Sequence, residues 1–97
     1  MVVNIESKSK AFLFDWKLSW KYFEKYMKQR EGVIGSAKVR EQILAFVRRV
    51  LNDNKLRFIT RADIPKVESV LKESAGENPF FQRASKLFVN FLNHYLE

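Results

Sequence analysis

Four segments of the chain carry apolar side chains at the spacing of one helix face, and this spacing restricts the fold more than any other feature. In the first segment Trp16, Trp20, Phe23 and Met27 stand at i, i+4, i+7 and i+11. The later faces are Val39, Ile43, Phe46, Val47 and Val50; then Ile64, Val67, Val70 and Leu71; then Phe80, Ala84, Leu87, Phe88, Phe91, Leu92 and Tyr95. The sequence therefore predicts an all-α fold, a compact bundle of four helices at about 12–30, 37–52, 61–75 and 79–96.

Residues that favour helix starts stand at three of the four boundaries. Ser36 is a good N-cap for the second helix, and Asn78 followed by Pro79 supplies a cap and an N1 proline for the fourth. Asp15 is expected to cap the first helix or to lie in its first turn, where the helix dipole favours a carboxylate. These signals support four separate helices.

The start of the third helix is less regular. Thr60 and Asp63 form a candidate capping box, but Pro65 follows so closely that the first turn is either irregular or begins nearer Asp63. The preceding "LRFIT" is expected to be a short extended piece anchored by apolar side chains. The candidate anchors are Leu56, Phe58 and Ile59.

Breaks between the helices fall where the chain carries turn residues. Gly32 and Gly35 are expected to form the turn after the first helix, and "NDN" at 52–54 ends the second. Gly76 is expected just after the third helix. With 97 residues and no linker-like stretch, we expect a flexible N-terminal tail over residues 1–10 and one helical domain over residues 11–97.

Several functional classes are disfavoured by what the sequence lacks. It has no Cys, which removes disulfides and thiolate chemistry, and no apolar run approaches the ~20 residues of a membrane span. The single His94 cannot support a catalytic triad by itself. We therefore expect a cytoplasmic, non-catalytic domain that needs no cofactor or metal.

The chain is strongly basic, with a formal net charge of +7 and a pI of about 9.9. Residues 1–49 carry eleven Lys or Arg against five Asp or Glu, whereas residues 50–97 carry seven against six. Lys17, Lys21, Lys25 and Lys28 form a basic stripe on the first helix. This asymmetry favours a polyanionic partner, nucleic acid before an anionic membrane.

Candidate DNA-binding residues lie on the polar sides of the second and fourth helices. Arg matches guanine and Asn matches adenine bidentately, and a helix presents both to the major groove. On the fourth helix Arg83, Lys86, Asn90 and Asn93 share one face. The full set of predicted DNA-binding residues is Lys38, Arg40, Arg48, Arg49, Arg83, Lys86 and Asn90.

Three stretches resemble the core-binding domain, also called the SAM-like N-terminal domain, of tyrosine recombinases and phage-type integrases. "SAKVREQILAFVRRVL" is similar to the second helix of that family. "FITRADIPKVESVLKES" resembles its "it..di..yl" segment through Ile59, Thr60, Asp63 and Ile64. "NPFFQRASKLFVNFLNHYLE" resembles its closing helix, with Arg83 before an "l..ff.yl" pattern. The likeness spans roughly residues 12–97 and consists mainly of hydrophobic patterns with caps.

The resemblance implies a duplex-DNA-binding domain that forms half of a C-shaped clamp near the crossover site. Its second and fourth helices would face the DNA, and the domain would associate with itself on DNA or with a catalytic domain C-terminal to it. The nucleophilic tyrosine of the family belongs to that separate domain, so Tyr95 is not its counterpart. Bound to DNA, the protein would be associated with the nucleoid.

Two other functions remain open from the sequence. A helical protein–protein interaction module would use Phe80, Phe81 and spare Trp surface as its contact patch. A small helical transcriptional regulator is disfavoured, because about eight residues join the second and third helices where a helix-turn-helix uses 3–4.

Overall fold

The computed structural model describes residues 9–30 and 36–97. The elements follow in the order β1 (Phe12–Leu13), α1 (Lys17–Arg30), α2 (Ala37–Asp53), β2 (Phe58–Ile59), a 3₁₀ turn (Arg61–Asp63), α3 (Ile64–Ala75) and α4 (Pro79–Tyr95). The predicted four-helix bundle is confirmed, with a small two-stranded sheet added to it. Of the predicted tail over residues 1–10, residues 1–8 lie outside the described residues, and so does the predicted turn at Gly32 and Gly35. Ser9 is described and forms a parallel bridge with Leu96.

The central element is α4, and the other three helices all pack against it. Its Phe88 is fully buried and meets the rings of Phe12, Trp20 and Phe23. The apolar faces predicted for the second, third and fourth helices are confirmed, with Val39, Val70 and Phe80 only half-buried at their edges. Because apolar residues cover most of α4, only a narrow polar strip of this helix reaches water.

The predicted N-caps of α2 and α4 are confirmed. The hydroxyl of Ser36 accepts hydrogen bonds from the N–H groups of Lys38 and Val39, at 3.2 and 3.4 Å. At α4 the Asn78 side chain accepts from the next two free N–H groups, at 2.9 and 3.2 Å, and Pro79 occupies the first turn. Each cap satisfies donors that the helix itself leaves without partners.

The irregular start predicted for the third helix is also confirmed. The carboxylate of Asp63 accepts from the N–H and the hydroxyl of Thr60, at 2.9 and 3.1 Å. This contact closes a 3₁₀ turn, and α3 then begins at Ile64 with Pro65 in its first turn. Gly76 follows the last residue of α3 at φ +57°, as the sequence predicts for a helix end.

The start predicted for the first helix is wrong, because α1 begins at Lys17 rather than near residue 12 or 15. Phe12 and Leu13 are extended and pair antiparallel with Ile59 and Phe58, so the extended piece predicted in "LRFIT" is confirmed as β2. The physical reason is burial: the Phe12 ring is 0% exposed and meets Trp20 edge-on at 5.0 Å. The extended backbone carries this ring into the centre of the bundle.

Two further predictions near the sheet are corrected. Asp15 does not cap α1; its carboxylate accepts hydrogen bonds from Arg57 instead. Trp16 precedes α1 and is 45% exposed, whereas the other three predicted core residues of that segment are buried. Phe58 is not an anchor, because it is 65% exposed, whereas the other two predicted anchors, Leu56 and Ile59, are buried in the core.

Candidate nucleic-acid interface

The lysine stripe of α1, defined as Lys17, Lys21, Lys25 and Lys28, lies fully on the outside of the bundle. Two ion pairs occur among residues 9–30 and 36–97, and neither includes a lysine of this stripe. α1 contains a single acidic residue, Glu24, which is half-buried. The stripe therefore presents four positive charges to solvent over a helix rise of ~16 Å.

Arg48 connects this stripe to α2. Its guanidinium carbon lies 4.7 Å from the centre of the Trp20 ring, and the ring itself is fixed by a 2.7 Å hydrogen bond from its N–H to the carbonyl of Phe14. A guanidinium that stacks through its flat face keeps its N–H edges available for acceptors such as phosphate oxygens. Arg48 is exposed, so those edges face water.

The position of Trp20 shows that Arg48 and the lysine stripe belong to one side of the molecule. At about 100° per residue, the four lysines of the stripe lie about 60–140° to one side of Trp20 on the α1 wheel. Tyr22 and Tyr26, which contact rings of α4, lie on the other side. We refer to the surface formed by the lysine stripe and Arg48 as the α1–α2 basic surface.

The other predicted residues of α2 are less uniform. Arg49 is exposed, and its guanidinium carbon lies 5.7 Å from the ring of Phe46 in the preceding turn. Lys38 is exposed in the first turn, whereas Arg40 is half-buried at the edge of the core. Within α2, the exposed cations Lys38, Arg48 and Arg49 are therefore the candidates for direct contact with an anion.

The predicted residues of α4, Arg83, Lys86 and Asn90, are all exposed and form what we call the α4 polar strip. Phe81 marks the side of α4 that faces α2, because it stacks on Phe46 with ring centres 4.4 Å apart. Counted from Phe81, the strip lies between about 140° and 200° around the helix. The structure therefore places the α4 polar strip away from α2, and the predicted DNA-binding residues form two surfaces rather than one.

The α4 polar strip borders α3 instead. Lys86 and Asn90 line a groove together with Glu68 and Lys72, which form an ion pair at 3.7 Å. Opposite charges meet in this groove, so its net positive potential is smaller than that of the lysine stripe.

Asn93, which the sequence places on the same face as the α4 polar strip, has a local structural role. Its side-chain amide donates to the carbonyl of Val89 at 3.1 Å. Its backbone carbonyl, like that of Leu96, accepts from Arg61, at 2.7 and 2.9 Å. Arg61 thus satisfies free carbonyls at the C-terminal end of α4, and Asn93 is part of that closure.

Sequence reasoning missed the exposed residues around the small sheet. Arg57 lies 4.5 Å above the ring of Phe14 and donates hydrogen bonds to Asp15 and to Asn52 of α2. Trp16 and Phe58 flank it. The apolar residues of "LRFIT" were the available signal, but two strands of two residues each give too little pattern to identify the partner strand.

Comparisons of the chain with known protein families, with curated proteins and with solved structures found no match. Over the described part of the chain, no helix is both long enough and apolar enough to cross a membrane. In the same residues, no three His, Asp or Glu side chains come together as ligands for a metal ion.

Proposed function

We propose that this chain binds duplex DNA and that the α1–α2 basic surface makes the main contact. The observation that carries the proposal is the lysine stripe joined to Arg48 on one side of the bundle, with no carboxylate paired to any of these five cations in the described residues. Cations carried on a rigid helix, with no carboxylate partner among the described residues, are suited to a polyanion with closely spaced charges.

Phosphate contacts would supply most of the affinity. Double-stranded DNA carries one charge per ~1.7 Å of axis, so a helix with four lysines along one side can neutralise several phosphates at once. The stacked guanidinium of Arg48 adds a donor in a fixed orientation. We expect tight binding at low salt and a steep fall in affinity as salt rises.

The particular form proposed, from the resemblance, is the core-binding domain of a tyrosine recombinase or integrase in the cytoplasm, associated with the nucleoid. The proposal changes the emphasis of that resemblance in one respect. Arg48 belongs to the main contact, and the other exposed cations of α2, Lys38 and Arg49, are proposed to bind beside it. The α4 polar strip faces away from α2. Contact of Arg83, Lys86 and Asn90 with DNA is therefore proposed as a second, separate contact.

The test is a titration of the chain with a short labelled duplex, followed by fluorescence anisotropy at about 50 and 200 mM salt. Replacing Arg48 and Arg49 together by Gln should weaken binding to every duplex sequence tested, because phosphate contacts carry no sequence information. The matched control is Lys66→Gln with Lys72→Gln, which removes two charges from α3 and should change affinity much less.

A chain that does not bind duplex DNA even at low salt would contradict the proposal. The protein–protein interaction module remains the alternative. Phe80 and Phe81 offer little exposed area for such a contact, because both are half-buried and Phe81 is stacked on Phe46.

A further inference from the structure

The outer face of the small sheet carries an apolar surface that the bundle does not need. Phe12 pairs with Ile59 and Leu13 with Phe58, and the first pair is fully buried. Because successive side chains of a strand point to opposite faces, Leu13 and Phe58 share the outer face. Phe58 is 65% exposed there, so a large apolar ring faces solvent on this side of the sheet.

Trp16 extends this surface. The backbone N–H of Trp16 donates to the carbonyl of Leu13 at 3.1 Å, which closes a turn. This turn leaves the Trp16 indole beside the outer face of the sheet. Leu13, Trp16 and Phe58 line one shallow pocket, and Asp15 and Arg57 form its polar rim. We refer to it as the outer-sheet pocket.

The rim of the outer-sheet pocket is held rigidly. Arg57 stacks on Phe14 at 4.5 Å and donates to Asp15 and, at 2.8 Å, to the side-chain oxygen of Asn52. These contacts tie the turn before α1 to the end of α2. The two exposed rings therefore flank a preorganised site, and little side-chain ordering is required for a ligand to enter.

The surroundings indicate which ligand would enter. Lys17 directly follows Trp16, so the pocket opens at one end of the lysine stripe. A ligand that suits both is a flat aromatic ring carried on a polyanionic backbone. A second copy of this chain fits poorly, since two molecules of net charge +7 repel each other.

We propose that the outer-sheet pocket binds an unpaired nucleobase, which stacks against Trp16 and Phe58 while its backbone continues along the lysine stripe. The inference rests on the proposed DNA binding and extends it to ends, junctions or locally opened duplexes. Stacking on aromatic side chains is tolerant of base identity, because every base has a flat face.

The test compares a blunt duplex, the same duplex carrying a short single-stranded overhang, and the overhang strand alone, using the whole chain. The overhang should raise affinity at least about fivefold, which is the lower range for stacking one base on an aromatic side chain. Trp16→Ala and Phe58→Ala should remove this gain and leave affinity for the blunt duplex unchanged. Leu18→Ala is the matched control, since Leu18 is also a large apolar side chain that is 43% exposed but does not line the pocket.

Each outcome separates this inference from the proposed function. If the blunt duplex binds but the overhang adds nothing, or if Trp16→Ala weakens both DNAs equally, the pocket is not a base site and duplex binding stands. If single strands bind and duplexes do not, the base site stands and the proposed function fails.

If Phe58→Ala instead changes the molecular mass in solution from a dimer to a monomer, the pocket is a protein interface and the inference is overturned. Thermal unfolding of each variant shows that the loss does not come from misfolding.

Discussion

Arg48 illustrates how a single residue serves both packing and recognition. Its guanidinium covers Trp20 at 4.7 Å, so it shields a ring that the core requires while its own polar edge stays in water. A lysine at the same position would keep the charge, but it would lose the flat stacking surface and the fork of donors. The two properties can therefore be separated by substitution.

Arg48→Lys is expected to reduce affinity for duplex DNA several-fold at constant net charge, because an ammonium group on a flexible stem is not held in place by Trp20. The measurement is anisotropy at low salt. Arg83→Lys is the matched control, since no ring contact fixes Arg83 among the described residues, and it should have little effect. Equal effects of both substitutions would show that the stack on Trp20 does not contribute to binding.

Phe88 is a central residue of the core. It is fully buried in α4 and meets rings from β1 and α1 at 5.4 and 5.0 Å. Phe88→Ala should lower the free energy of unfolding by about 3–5 kcal/mol, the usual cost of removing a large buried ring. Urea unfolding followed by circular dichroism measures this. Leu18→Ala, at an exposed position, should stay within about 0.5 kcal/mol of the parent chain.

Among the elements, α4 depends most on a correct start, because all the other helices pack against it. Asn78→Ala removes the acceptor for two N–H groups and should lower the free energy of unfolding by about 1 kcal/mol. Asn78→Ser keeps a capping oxygen and should retain most of the stability. A loss as large in Asn78→Ser as in Asn78→Ala would mean that Asn78 acts through something other than its cap.

The helices could be predicted from the sequence, whereas the strands could be predicted only in part. The bounds of α2, α3 and α4 follow from periodicity and from caps at Ser36 and Asn78, which are local signals. β1 could not be predicted, because Phe12 and Leu13 are extended only through pairing with residues more than forty positions away. Trp16 and Trp20 have the spacing of one helix face, but Trp16 lies in the turn before α1 and therefore does not share a helix face with Trp20.

The candidate site also has one part that could be predicted from the sequence and one part that could not. The lysine stripe of α1 could be predicted from spacing alone, because its residues lie on one helix. The contact between Arg48 and Trp20 could not, and neither could the position of the α4 polar strip on the side of α4 away from α2. Those depend on how helices pack, which a single helix pattern does not contain.

For the whole molecule, the distribution of charge matters more than its total. α1 and α2 together carry nine Lys or Arg against three Asp or Glu, whereas α3 is balanced and α4 carries only Arg83 and Lys86 as basic side chains, apart from His94. A basic protein that bound DNA through its charge alone would respond equally to any lost cation. A protein with one binding surface responds according to position.

Two variants with the same loss of charge separate these cases. Lys21→Gln with Lys25→Gln should lower duplex affinity and reduce the slope of log affinity against log salt by up to about two, because two phosphate contacts are lost. Arg83→Gln with Lys86→Gln should reduce that slope less, since the α4 polar strip faces away from α2 and is proposed only as a second contact. Both pairs are exposed, so neither should alter folding. Equal slopes in the two variants would place the DNA on both surfaces, whereas a larger effect of the α4 pair would move the main contact from α1 to α4.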